Sequence, residues 1–174
     1  MSDANKIPTV MRPKQSLKIM VPGGINRYGK TDLHVIPDKV TVNGNYYRKS
    51  ILSVYQKACN DRTLFPKPDK VVLMQNGAPA HTARETLRVI YQQFAKVWVD
   101  WPGNSPDLNP VEHIWSRLQS SVLKNPRPRN REQLVARVEQ EGDSINQEEL
   151  KKIVESFRAR IFECLQNNGH HSHY

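Results

Sequence analysis

The chain has 174 residues, enough for one domain with its own core. Hydrophobic residues make up 37% and charged residues 25%, which argues against a disordered tail, and no apolar run approaches the roughly 18 residues of a transmembrane helix. The formal net charge is +9, so the surface favours a polyanionic partner, with DNA or RNA the usual one.

The opening Met-Ser-Asp-Ala-Asn-Lys lacks the apolar core of a signal peptide, so no export is expected. Residues 1–16, with Pro8 and Pro13, read as an unstructured lead-in. Leu17-Lys-Ile-Met-Val21 reads as a short buried strand stopped by Pro22-Gly23-Gly24. Asp32–Ile36 is a second short strand ended by Pro37, and Arg27–Lys30 suits the hairpin loop between them. A helix over about 44–58 follows, with Asn43 as its cap and Tyr47, Ile51, Val54, Tyr55 and Ala58 on one face. Pro66 and Pro68 then break the chain.

Lys70–Met74 is continuous and apolar after its lysine, as expected for a strand covered on both faces, and it ends in the turn cluster Gln75–Pro79. The next helix is expected from Ala83, with Thr82 and Glu85 as a capping box and Leu87, Ile90, Tyr91 and Phe94 as its stripe. Val97–Val99 is another strand, and Pro102–Pro110 is a loop. Pro110 opens a helix whose core face is Val111, Ile114, Trp115, Leu118 and Val122. After Pro126 and Pro128, a helix starts near Arg131 behind Asn130. The last helix starts near Gln147, with Asn146 and Glu149 as a capping box and one long stripe from Leu150 to Leu165. Cys59 and Cys164 fall in helical patterns and read as core or half-buried thiols of a reducing compartment. This order of elements is α/β, with a hairpin beside a parallel part, hence a mixed sheet.

In an open α/β sheet, functional groups collect at the carboxyl ends of strands. That singles out Asn76, after the 70–74 strand, and the loop leading to Glu112. Two or three carboxylates at such a place would hold magnesium, a hard cation that wants charged oxygen ligands. Asn76 offers a neutral carbonyl oxygen instead. Glu112 has a second reading, because Asn109-Pro110-Val111-Glu112 also spells a capping box. His81 is either a turn residue or a site-lining one, and His113 has no zinc-ligand partner at useful spacing. His170, His171 and His173 read as a solvated end. From His113 to Arg131 there is no acid, while Arg117, Lys124, Arg127, Arg129 and Arg131 are basic. These residues suit either phosphate contacts or a solvated basic face.

Two strings resemble the Tc/mariner superfamily of mariner-type transposases. Gln75-Asn76-Gly77-Ala78-Pro79-Ala80-His81-Thr82-Ala83 resembles the block that holds the family's second catalytic Asp. Asp100-Trp101-Pro102 through Pro106-Asp107-Leu108-Asn109-Pro110-Val111-Glu112-His113-Ile114-Trp115 resembles the block that holds its third acid. The strand and turn Ile19–Ile25 and the end from Asn168 to Tyr174 are similar too.

The resemblance implies the C-terminal part of a DDE catalytic domain with a ribonuclease-H-like, retroviral-integrase-like mixed sheet and flanking helices, N-terminally truncated. Residues 17–125 would form the truncated domain and 126–174 its C-terminal helices. The implied activity is magnesium-dependent cutting at transposon ends and joining to target DNA in the nucleus. Carried over by position, Glu112 is the third acid and Asn76 stands where the family has the second Asp. The first Asp lies in relatives on a strand upstream of residue 17; Asp3, the only acid before Asp32, has surroundings that do not match. The helix-turn-helix region and the central strand are likewise expected to be missing, and Pro22 replaces a usually aromatic residue. The resemblance therefore implies a DNA-binding remnant degenerate for cleavage and a vestigial metal role for Glu112. Magnesium would not be held tightly. The partners are DNA and either a homodimer mate or a chain that supplies the missing strands. Two alternatives stand beside it: a repurposed DNA- or protein-binding module, and an active transposase whose upstream part lies outside this sequence.

Overall fold

The computed structural model describes residues 17–98, 100–102 and 105–170, so the expected lead-in lies outside the described residues. The first two extended segments pair antiparallel. Ile36 N–H donates to Met20 O (2.9 Å), His34 N–H to Pro22 O (3.2 Å) and Thr31 N–H to Gly24 O (2.9 Å). Pro22 has no N–H to return, so the ladder is reduced to an isolated bridge between Ile25 and Lys30. The expected buried strand at Leu17–Val21 is therefore an irregular, exposed one: Met20 is 58% exposed.

Asn43 caps the next helix through its side-chain oxygen, which accepts from Tyr46 N–H, as expected. This helix runs as α1 (Gly44–Tyr46), a π-helical turn (Tyr47–Ile51) and α2 (Leu52–Asn60). The wide turn displaces the apolar stripe, so Leu52 is buried along with Tyr47 and Ile51. β1 (Val72–Met74) and β2 (Lys96–Trp98) pair in parallel, Leu73 opposite Val97. β1 is not covered on both faces as its composition suggests, because Val72 is 49% exposed.

Between these strands lie α3 (Pro79–Thr82) and α4 (Arg84–Gln93). The expected capping box is absent. Pro79 starts a helical turn early, Thr82 Oγ1 donates back to Ala78 O, and Glu85 pairs with Arg88 instead. Tyr91 faces solvent, and Thr86 takes the buried place on α4 with Ile90. Ile90, Phe94, Tyr47, Ile51, Leu52 and Ile36 form the first core cluster.

α5 (Pro110–Val122), α6 (Arg131–Asp143), α7 (Gln147–Glu155) and α8 (Phe157–Gln166) complete the described chain. Asn130 and Asn146 cap α6 and α7 by accepting from Gln133 and Glu149 N–H. Only half of the second capping box forms, because the Glu149 carboxylate turns to Arg117 (2.7 Å). The single long final helix is two helices divided at Ser156, and Leu165 at the end of the expected stripe is exposed. Ile114, Leu118, Ile145 and Leu150 form the second core cluster, joined by Trp115 and Ile25. Cys59 and Cys164 are free and half-buried. No described helix is long and apolar enough to cross a membrane.

Leu52→Ala, which removes a side chain with no exposed surface, is expected to cost about 2–5 kcal/mol in urea unfolding. Asn43→Ala should cost about 1 kcal/mol, because one cap acceptor is lost.

Candidate functional site

Asn76 follows β1 directly, and Glu112 sits in the first turn of α5. Both line one cavity of about 370 Å³, together with Gly77, Ala78, Trp101, Pro102, Ser105, Pro106 and Asn109. The two sequence-selected positions are thus brought to one pocket at the carboxyl end of β1.

Asn76 is held by its own turn. Its Oδ1 accepts from Ala78 N–H (3.3 Å), and its carbonyl oxygen meets His81 Nδ1 (3.1 Å). The preceding Gln75 is anchored from the π-helical turn, where Tyr47 Oη donates to Gln75 Oε1 at 2.6 Å. The His81 ring packs on the Tyr47 ring, centroids 4.4 Å apart. Burial pushes the Tyr47 hydroxyl well above the usual tyrosine range, with the neighbouring Tyr55 adding to it, so Tyr47 stays a neutral donor. Burial also moves Tyr55 up to about 12. His81 is lowered below 6.5 by burial, opposed in part by its bond to Asn76 O. His81 is therefore a half-buried neighbour of the pocket's turn.

Glu112 is not the closing half of a capping box. Asn109 Oδ1 accepts from Val111 N–H (3.4 Å), while Asn109 N–H donates to Pro106 O (3.0 Å). That leaves the Glu112 carboxylate, which is half-buried, without a hydrogen bond among the described residues. The next residue, His113, meets a group that sequence reading missed. Arg160 on α8 is 1% exposed, and its Nη1 lies 2.5 Å from His113 Nε2. A guanidinium only donates, so the acceptor in this contact is His113 Nε2. His113 thereby ties the start of α5 to the last helix. The aromatic group Trp98, Trp101 and Phe157 adds a second tie. Trp98 is edge-on to both others (5.6 and 5.9 Å), and Trp101 stacks on Phe157 at 6.3 Å.

The basic residues divide. Arg117 is engaged with Glu149 and Ser144, and Arg131 bonds Asp38 (2.5 Å) and Ile36 O (2.8 Å). These two fasten elements together. Lys124, Arg127 and Arg129 stay exposed on the segment between α5 and α6, where Arg127 Nε donates to Leu123 O.

Known folds and sequences match this arrangement. The catalytic domain of Mos1 mariner transposase superposes with a TM-score of 0.77 at 18% identity, over 88% of this chain and 76% of that one. A pre-cleavage Mos1 transpososome superposes with 0.81 at 18% identity, over 99% of this chain and 51% of its own. The fold is thus the ribonuclease-H-like one of a transposase catalytic domain. The family model described as DDE superfamily endonuclease matches residues 26–135, more than half of the chain. The chain belongs to that family, in its Tc/mariner transposase branch. It is 30% identical over 103 residues to the Tc1 transposase of Caenorhabditis elegans and equally to the Tcb1 transposase of Caenorhabditis briggsae. Those matches cover 59% of this chain and 37% of either relative, so the match spans little more than a third of their length.

The neighbouring Mos1 catalytic domain has been solved with Mg and with Mn. The donor set here does not fit a pair of such ions. Among the described residues lining the pocket, Glu112 is the one carboxylate, and Asn76 adds only a neutral oxygen.

His81 makes stability depend on pH. Its folded pKa lies below its unfolded value near 6.5, so as pH falls through that window the unfolded chain takes up the proton first and stability drops. Urea midpoints should fall between about pH 7.5 and about pH 5, and His81→Gln should flatten that loss.

Proposed function

We propose that this chain is a transposase-derived nucleic-acid-binding domain that has lost DNA cleavage and strand transfer. One observation carries the reading. The pocket that unites the two family positions, Asn76 and Glu112, contains one carboxylate among its described lining residues. Two-ion phosphodiester chemistry needs acidic oxygens to gather two divalent cations and offset their charge. A single glutamate facing an amide supplies one negative charge.

DNA is the partner in this reading. The solved neighbours include a Mos1 paired-end complex with the left transposon end, and this chain carries a net charge of +9. Of the five basic residues from Arg117 to Arg131, Lys124, Arg127 and Arg129 are the ones open to meet phosphates, since Arg117 and Arg131 are committed to Glu149 and Asp38. The compartment would be the nucleus, where duplex DNA lies.

A magnesium-dependent nicking assay on supercoiled plasmid tests the loss of cleavage. The native chain should leave the plasmid intact. Nicking that disappears with Glu112→Gln would overturn the reading. Calorimetry should detect weak magnesium binding at most, strengthened by Asn76→Asp and removed by Glu112→Gln. Duplex DNA affinity should fall steeply as salt rises. Replacing Lys124, Arg127 and Arg129 by Gln should reduce the slope of log K against log salt by up to about 3. An unchanged slope would show that these side chains do not meet phosphates.

A further inference from the structure

The charge of the chain is not shared evenly among its helices. From Lys39 to Asn60 there are four basic residues and no acid, and from Lys70 to Trp98 four basic residues and one acid, Glu85. From Arg131 to Gln166, across α6, α7 and α8, six basic residues stand against eight acids. The helices of the first core cluster are thus strongly cationic, and the C-terminal helices are net acidic.

The two cationic helices lie side by side. A Cβ added to Gly44, at the start of α1, would stand 3.5 Å from the Cβ of Ala83, just before α4. Arg48 Nη1 donates to Thr86 Oγ1 (3.2 Å), and further along Ile51 and Leu52 share a core cluster with Ile90 and Phe94. The helices therefore run in the same direction with their inner sides closed. Lys49, Ser53 and Lys57 are exposed on the first, and Arg84, Arg88 and Tyr91 on the second. Little neutralises these cations. Glu85 holds Arg88 at 3.0 Å, and Lys57 stands 3.8 Å from Asp32 with both side chains more than four-fifths exposed. Among the described residues Lys49 and Arg84 make no ion pair.

A lipid surface would call for apolar side chains beside the cations, and Tyr91 is the one large such side chain exposed on these helices. The closely spaced phosphates of a duplex need only the cations, whose binding releases condensed counterions.

We propose that the outer face of α1–α2 and α4, with Lys49, Lys57 and Arg84 as its contacts, is a second phosphate-backbone surface for duplex DNA. It is separate from the Asn76–Glu112 pocket and from Lys124, Arg127 and Arg129, and it rests on the nucleic-acid reading above. Such a surface supplies affinity and orientation without sequence choice.

The full chain is titrated with a fluorescein-labelled duplex by anisotropy at several salt concentrations. Replacing Lys49, Lys57 and Arg84 by Gln should reduce the slope of log K against log salt by up to about 3, with Lys124, Arg127 and Arg129 left intact. Glu85→Gln removes the one acid of the face and releases Arg88. It should tighten binding and steepen the slope by up to about 1, a gain that a misfolded variant could not mimic. Acylation of Lys49 by an amine-reactive ester should slow when the duplex is bound. With the parent chain binding duplex, an unchanged slope in the triple variant or no gain with Glu85→Gln would overturn this surface alone. A parent chain that fails to bind duplex at low salt would overturn the surface and the nucleic-acid reading together. A salt-sensitive dimer that the triple variant dissolves, with the DNA slope unchanged, would assign the face to the acidic helices of a second copy and overturn the proposal likewise.

Discussion

Parallel pairing of β1 with β2 sends the loops that follow both strands to the same end of the sheet. The turn after β1 carries Asn76, and the loop after β2 leads through Trp101 to the start of α5 and Glu112. The candidate site depends on that convergence, since the two residues are far apart in sequence and meet only because the strands run the same way. The pairing is short, three residues on each side, so the surrounding side chains must hold its ends. Tyr47 and His81 do so at the first loop, and Arg160, His113 and the Trp98–Trp101–Phe157 group do so at the second.

Much of this was legible in the sequence where the interaction is local. Asn43, Asn109, Asn130 and Asn146 each cap a helix within three residues of themselves, and an Asx side chain before an apolar repeat announces that geometry. The convergence of Asn76 and Glu112 was legible from the strand-then-turn pattern and from the family strings. The capping boxes at Thr82 and Glu112 were misread because a Pro can start the helix elsewhere or leave the cap to another group. Arg160 could not be read: a guanidinium at a buried helix position contradicts composition, and its partner His113 lies 47 residues away. The Tyr47–Gln75 bond spans 28 residues and was invisible for the same reason.

The positively charged residues show how sequence counts overstate a surface. Arg117 and Arg131 look equivalent to Lys124 and Arg129 in a list of basic residues. In the fold they are side-chain fasteners, one between α5 and α7 and one between α6 and the Pro37 turn. An ion pair of that kind is worth modest energy when part-exposed, but it fixes which helix faces meet. Of the basic residues between α5 and α6, Lys124, Arg127 and Arg129 stay exposed to solvent.

Arg131 has a wider consequence. Its guanidinium reaches back across the chain to Asp38 and to the carbonyl of Ile36, 95 residues earlier. Ile36 belongs to the first core cluster, while α6 packs against α5, which carries the second. The antiparallel segment beginning at Met20 is thus fastened to α6 by a contact that closes a very long loop. A contact of such sequence separation weighs against fast folding of this region, and a chain cut before α6 would lack that closure.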